Sequence, residues 1–164
     1  MAEAHHICPW WVGYLMANPL RKLFQRPEPY FEPWVTKGST VLDIGSAMGY
    51  FSLPMARIVG PTGKVVCVDI QERMLSALRR RARRAKLEDR LDIRLCKDGG
   101  FSLEGLDGQV DFALACFMVH EVPNQRTLFE EVYQSLKTGG QMLVTEPTGH
   151  VPQSDFDQEI ALAK

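Results

Sequence analysis

The sequence predicts an α/β domain built on a doubly wound, mostly parallel sheet. Three observations support this fold class. Strand-like and helix-like segments alternate from residue 40 onward, the strand-like segments are apolar almost throughout, and a glycine-rich turn follows the first of them. A length of 164 residues is enough for one domain with its own hydrophobic core.

The expected strands are short runs of apolar and β-branched residues that end in turn-forming or polar residues. Such runs bury both faces of a parallel sheet, so they need no apolar–polar alternation. In chain order they are Thr40–Ile44, Lys64–Asp69, Leu91–Leu95, Val110–Cys116 and Gln141–Thr145.

The expected helices lie between these strands. The clearest carries apolar residues at helical spacing at Met74, Leu75, Leu78, Ala82 and Ala85. Glycine-rich segments end the patterns, among them a turn over Lys137-Thr138-Gly139-Gly140 before the fifth strand. The predicted helices are Ser52–Val59, Gln71–Lys86, Asn124–Leu136 and a last one that starts at Ser154 and runs to Lys164.

The first 38 residues differ from the rest in composition, with adjacent tryptophans and five prolines. We expect residues 1–38 to form an extension or lid and residues 39–164 to form the main domain. His5, His6 and Cys8 lie too close together to supply a metal site alone, so Trp10, Trp11 and Tyr14 are interpreted as aromatic cover for a cleft or as packing against the sheet edge.

Overall charge and cysteine content limit the possible partners. The formal net charge of −1 gives no field that favours nucleic acid or an anionic membrane, and the arginine-rich run 79–86 is interpreted as a solvated helix face. The apolar run 7–20 is short and broken by Pro9 and Pro19, so no membrane partner is expected. Four dispersed cysteines indicate a reduced, cytoplasmic protein, and the oligomeric state stays open.

The segment from Asp43 to Tyr50 is the strongest functional signal. It follows the first strand, where open parallel sheets bind ligands, and Asp69 ends the second strand at the position of a ribose-binding carboxylate. A dinucleotide fingerprint requires small residues where this chain has Ala47 and Tyr50. The spacing therefore disfavours a pyrophosphate and leaves S-adenosylmethionine as the better ligand.

Three motifs in order resemble those of class I S-adenosylmethionine-dependent methyltransferases of the type-11, ubiquinone/menaquinone-biosynthesis-like group. They are Val41–Gly49, Val66–Asp69 and Leu136–Gly140, with Ala47 in place of the middle glycine and Thr138 in place of a proline. The family sheet has seven strands, the last two in an antiparallel hairpin. This sequence accounts for five, so we expect the hairpin to be absent or to belong to a longer protein.

The resemblance also implies roles for individual residues. Asp43 would orient the loop and the amino-acid part of the cofactor, Asp69 would hold the ribose, and Cys116 would approach the methyl group. Asp98 would meet the adenine amino group, with a solvated loop aspartate as the alternative. The implied cofactor-binding set is Asp43, Gly45, Ser46, Gly49, Asp69, Ile70, Met74, Asp98, Gly99 and Cys116.

Two histidines and two glutamates follow strands four and five, and so belong to the same edge of the sheet. They are His120, Glu121, Glu146 and His150. We select His120 and Glu121 as the catalytic candidates, acting as a general base on the acceptor. A metal site and plain loop-capping residues are the alternatives, and no residue is assigned to a metal.

Together these features predict methyl transfer from S-adenosylmethionine to a small, partly apolar acceptor. The methyl donor is already activated, which explains why no catalytic triad stands out. An NAD-dependent oxidoreductase and a non-catalytic S-adenosylmethionine-binding module are the alternatives. The sequence does not identify the acceptor.

Overall fold

The computed structural model describes Trp11, Gly13 and residues 26–97 and 99–164. Its sheet has five parallel strands in the order β3-β2-β1-β4-β5. They are β1 (Thr40–Ile44), β2 (Lys64–Asp69), β3 (Leu91–Leu95), β4 (Val110–Cys116) and β5 (Leu136–Thr145). The helices are α1 (Ser52–Val59), α2 (Glu72–Ala85), α3 (Gln125–Ser135) and α4 (Gln153–Leu162).

The strand order reverses at β1, which pairs with β2 on one side and β4 on the other. A crevice therefore opens at the carboxyl ends of these strands, where doubly wound sheets bind their ligands. Short 3₁₀ turns at Glu28–Tyr30, Glu88–Arg90 and Val119–Glu121 complete the described secondary structure. The predicted fold class is confirmed.

Apolar side chains cover both faces of the sheet and form two cores. Along β1, Val41 faces the core that includes Leu75 and Leu78 of α2, while Leu42 and Ile44 face the core beneath α3. All three β1 residues are almost completely buried. Burial on both faces explains why the strands contain apolar residues in succession rather than in alternation.

Strand β5 begins at Leu136, five residues earlier than the sequence indicated. The prediction of a turn over residues 137–140 before the strand was therefore wrong. Leu136 already pairs with Val110, and Gln141 then pairs with Phe112, so residues 137–140 form an irregular stretch inside the strand. A side chain at Gly140 would lie 3.0 Å from the Val110 carbonyl oxygen, which explains the need for glycine there.

The helix Ser52–Val59 has the predicted bounds, whereas the other three helices end one or two residues earlier than predicted. Asn124 lies outside α3 as its N-cap, and its side-chain oxygen accepts a hydrogen bond from the Thr127 N–H at 3.2 Å. Lys86 ends α2 in the left-handed conformation, with φ of +55°. The last helix ends at Leu162 instead of Lys164.

Residues just before the sheet belong to its packing. Phe31 and Val35 are buried in the core that contains Leu75 and Leu78 of α2. Trp34 stacks on Phe112 with ring centroids 5.2 Å apart. Trp11 is exposed and Gly13 is buried. The other aromatic, histidine and cysteine positions singled out near the N-terminus lie outside the described residues. Of the helices that the described residues form, none has the length and apolarity needed to cross a membrane.

Candidate functional site

A tight loop follows β1 and is tied to the end of β2. Gly45, at φ of +68°, and Ser46 both donate their backbone N–H to the Val68 carbonyl, at 2.9 and 3.0 Å. The Ser46 side chain is buried, and its hydroxyl has no hydrogen-bond partner among the described residues. The loop therefore brings backbone and an unused buried hydroxyl to the crevice.

Asp69 closes this loop from the end of β2. One carboxylate oxygen accepts from the Ala47 N–H at 2.9 Å, and the other accepts from the Gln71 N–H at 2.8 Å. Burial raises the pKa of Asp69, and these N–H donors partly offset that rise. Each oxygen keeps further lone-pair capacity, so the carboxylate can also accept from hydroxyl groups.

Asp43 lies deeper, under the same loop. Its carboxylate is 2% exposed and accepts a hydrogen bond from the Ser52 hydroxyl at the start of α1. Burial raises the pKa of Asp43 to about 7, and the negative charge of Asp69 raises it as well. The site therefore contains two buried carboxyl groups that favour a positively charged neighbour. Ser52 was not predicted as a site residue, because its role depends on three-dimensional proximity.

The central position of the loop is occupied by Ala47 instead of glycine. Ala47 adopts a φ of +46°, a conformation that costs a non-glycine residue about 1–2 kcal/mol. Its hydrogen bond to Asp69 holds it there. Arg81 of α2 also donates to the Met48 carbonyl, so one arginine of the basic run fixes the loop instead of facing solvent.

Gly49 is the close-packing glycine of the loop. A side chain there would lie 2.3 Å from Leu78 Cδ1, and φ is +80°. The residue therefore packs on α2 and does not line the cavity beside the loop. Tyr50 is buried and meets Phe51 edge to face, with centroids 5.2 Å apart.

The remaining predicted cofactor residues have varied surroundings. Ile70 is 54% exposed, whereas Met74 is buried against Met48 and Ala77. Gly99 is exposed, with φ of +80°, and Cys116 is half-buried beside the loop. Asp98 lies outside the described residues.

The space between the loop and β4 is a small cavity of about 40 Å³. This volume is smaller than the roughly 300–1,000 Å³ that is typical of sites for small molecules. Met118 packs over Gly45, where a side chain would lie 3.0 Å from Met118 Cγ. Phe117 borders this cavity with φ of +60°, an unusual conformation for a large side chain. The cavity is lined by Gly13, Asp43, Ile44, Gly45, Ser46, Ala47, Met48, Tyr50, Phe51, Cys116 and Phe117.

A second polar cluster lies at the ends of β4 and β5. Both Glu146 oxygens accept from His120: one from its backbone N–H at 3.2 Å and the other from ring Nδ1 at 2.7 Å. Glu146 is 3% exposed at its side chain. The neutral ring therefore carries its proton on Nδ1 and offers an unprotonated Nε2.

The other predicted members of this cluster lie nearby. The His150 ring meets the His120 ring edge to face with centroids 5.1 Å apart, and a Glu121 oxygen lies 4.0 Å from His120 Nε2. The expected convergence on one edge is therefore observed. Within the part of the chain that the structure describes, no group of three or more such side chains could hold a metal ion.

Two members of the cluster were not predicted. Gln125 Nε2 donates to Glu159 Oε1 and to the Val119 carbonyl, each at 3.1 Å. Glu159 is 2% exposed, although it is an acidic residue in an otherwise exposed helix. No sequence signal marks it, because burial of a single position on α4 depends on how α4 packs.

Comparisons with known proteins agree with this geometry. A family model described as a methyltransferase domain matches residues 41–140. A demethylmenaquinone methyltransferase from Listeria welshimeri is 32% identical over 108 residues, covering 66% of this chain and 44% of the relative. An arsenite methyltransferase from Halobacterium salinarum is 30% identical over 118 residues, covering 72% of this chain and 29% of the relative. The chain thus spans less than half the length of these relatives.

The fold is also similar to a solved structure. A SAM-dependent methyltransferase from Aquifex aeolicus superposes with a TM-score of 0.71 at 24% identity, and the match covers 80% of this chain and 69% of that one. At this identity the similarity concerns the fold alone.

Proposed function

Because the chain belongs to the methyltransferase-domain family, we propose that it transfers a methyl group from S-adenosylmethionine to a small, partly apolar acceptor. The observation that carries this proposal is the position of Asp69. Its carboxylate lies at the end of β2, hydrogen-bonded to the backbone of the loop after β1. This is where a ribose diol binds in folds of this type.

The loop after β1, together with Asp43 and Asp69, forms the first site, and its residues suit such a cofactor. The cationic part of the cofactor would lie near Asp43 and Asp69. Burial disfavours the ionised form of both carboxyl groups, and a positively charged neighbour would offset that effect. The buried Ser46 hydroxyl is available as a further polar contact. Met118 packs over Gly45, and its unbranched side chain can change rotamer to admit the cofactor. When bound, the cofactor supplies a methyl group on a positively charged sulfur.

The remaining predicted contacts lie around this site. Ile70, next to Asp69, offers an exposed apolar side chain for the adenine, and Met74 packs beneath the loop. Gly99 and Asp98 would border the adenine from the segment after β3. Cys116 lines the cavity beside the loop, so the methyl group would be transferred near it.

The second cluster supplies the base. Glu146 holds the His120 ring with Nδ1–H donated inward, so Nε2 can take a proton from the acceptor's hydroxyl, amine or acidic carbon. Glu121, 4.0 Å from Nε2, would assist by stabilising the protonated ring. The residues therefore align the acceptor and receive its proton.

Several observations support a small, partly apolar acceptor. The names of the two relatives indicate small-molecule substrates, one of them a quinone precursor. The aromatic rings of Tyr30 and Phe117 meet edge to face at 6.5 Å beside the loop. The net charge of −1 offers nothing to attract nucleic acid.

The N-terminal residues complete the proposal as a lid. Gly13, helical and buried, lies so close to Met48 and Met74 that a side chain there would touch both. Within the extension, residues 1–38, the part around Gly13 would therefore cover the loop of the main domain, residues 39–164, while Phe31 and Val35 pack in its core. Cys67, Cys96 and Cys116 form no disulfide within the described part of the chain, which supports a reducing, cytoplasmic location.

Calorimetric titration with S-adenosylmethionine, its demethylated product and NAD separates the proposal from its alternatives. We expect micromolar or tighter binding of both sulfur compounds and no heat with NAD. Formation of the demethylated product with a panel of quinol, phenol and amine acceptors then separates an enzyme from a binding module. Binding of NAD alone, or silence toward both sulfur compounds, would contradict the proposal.

A further inference from the structure

Glu159 is a buried acid with an incomplete set of partners. Its Oε1 accepts from Gln125 Nε2 at 3.1 Å, but its Oε2 has no hydrogen-bond partner among the described residues. The residue is only 2% exposed. An ionised carboxylate oxygen without a donor is strongly disfavoured in such surroundings, whereas a neutral carboxyl group is tolerated.

A second buried carboxyl group lies close by. The charges of Glu146 and His120 both act on Glu159, and Gln125 connects the two sides by donating also to the Val119 carbonyl, next to His120. Glu146 receives two hydrogen bonds from His120, while Glu159 receives one from a neutral amide. When two neighbouring buried carboxyl groups compete, the one with more donors stays ionised.

We propose that Glu159 is a positioning residue that carries a proton on Oε2 beside the Glu146–His120 pair and so leaves Glu146 as the ionised partner of the imidazole. This inference rests on the proposed role of His120 as the base. A neutral Glu159 keeps the negative charge where it orients Nδ1–H. His120 Nε2 therefore remains the basic atom.

The electrostatics agree with this assignment. Burial raises the pKa of Glu159, and the negative charges of Glu146 and, more weakly, Asp155 raise it further. The Gln125 hydrogen bond and a positive charge on His120 lower it. Glu146 and His120 are thus the titratable groups that face Glu159 from the segments after β5 and β4, and Asp155 lies on its own helix.

The test is a ¹³C NMR titration of the Glu159 side-chain carboxyl in the whole chain, without ligand. We expect a midpoint above the ordinary glutamate value of 4.5. Glu146→Gln should lower that midpoint by about one pH unit, because the repelling charge is gone, and His120→Gln should raise it. Glu130→Gln, an exposed change on α3, should leave it unchanged.

A ¹⁵N NMR measurement of the His120 tautomer completes the test. Glu159→Gln, which replaces a neutral acid by a neutral amide, should preserve the Nδ1–H form at pH 7. An ordinary midpoint for Glu159, or a midpoint that neither Glu146→Gln nor His120→Gln moves, would overturn the inference. If one of these two does not fold, the other still decides. S-adenosylmethionine binding, measured separately, reports on the proposed function alone.

Discussion

The two ends of the crevice hold their acidic groups in different ways. At the loop after β1, Asp69 is held by backbone N–H groups, from Ala47, 22 residues away in sequence, and from Gln71. At the ends of β4 and β5, Glu146 is held by the backbone N–H and the imidazole ring of His120, 26 residues away. The two sites therefore differ in their donors: backbone groups hold the first carboxylate, and a side-chain ring helps to hold the second.

This difference bears on function. Backbone donors present the same pattern whatever the side chain, so a cofactor shared by many enzymes can be bound by one repeated loop. Side-chain clusters can change residue by residue, which suits recognition of different acceptors. The relatives, named for demethylmenaquinone and arsenite, show that acceptors differ among similar chains.

The largest expected effect concerns the second site. His120→Gln removes the proposed base, and we expect kcat to fall about 1,000-fold, within the range for general-base catalysis. Cofactor affinity should stay within twofold, because His120 does not line the loop. Steady-state kinetics with any turned-over acceptor checks this, with Glu130→Gln as the control. Loss of cofactor binding with unchanged kcat would mean that the two regions are not separate.

The packing of the loop can be broken at Gly49. In Gly49→Ala the new methyl group would clash with Leu78 and the backbone would be strained at φ of +80°, so we expect a loss of about 3 kcal/mol in unfolding free energy. Gly105→Ala is the matched control. Its φ is +77° with open space around it, so only about 1 kcal/mol should be lost. Equal losses in urea unfolding would rule out the packing explanation.

The buried carboxyl of Asp43 predicts a pH dependence of stability. Its pKa is about 7 in the folded chain against an ordinary value of 3.8, so the folded state binds this proton more tightly than the unfolded state does. Its stabilising effect is complete below pH 3.8 and is lost as the pH rises through 7.

We therefore expect the unfolding free energy to fall by about 2 kcal/mol between pH 5 and pH 7. Asp43→Asn should remove most of that decrease, while exposed Asp107→Asn should retain it. Urea unfolding at several pH values measures both. A decrease that persists in Asp43→Asn would assign the effect to other groups.

The smallest effect is expected at Ala47. Glycine adopts a φ of +46° without the steric penalty of alanine, so Ala47→Gly should raise the unfolding free energy by about 1 kcal/mol. Thermal unfolding measures this change. A lower melting temperature would show that the methyl group of Ala47 contributes packing that outweighs the backbone strain.

The fold could be predicted well from the sequence. Four strands have the predicted bounds, because runs of apolar residues and the glycines that follow them can be recognised from the local sequence. The exception was β5, because Leu136 pairs with Val110 across the sheet and such pairing leaves no local mark. The assignment of cofactor contacts to individual residues stays a prediction.

The second site was predicted only in part. The shared edge of parallel strands predicted that His120 and Glu146 would meet. Gln125 and Glu159 could not be foreseen, since their contact depends on the packing of α4 against α3. Neither the tautomer of His120 nor the unpartnered Glu159 oxygen follows from residue spacing. Both depend on where the folded chain places the neighbouring side chains.

The most direct test of the central claim is the affinity for S-adenosylmethionine in Asp69→Asn compared with Asp107→Asn. The amide keeps the size of Asp69 but replaces one oxygen of a carboxylate that accepts from Ala47 and, in our proposal, from a ribose hydroxyl. We expect calorimetry to show at least 100-fold weaker binding, or about 2.7 kcal/mol, in Asp69→Asn and an unchanged affinity in the control. Equal affinity in the two variants would contradict the assignment of this loop as the cofactor site.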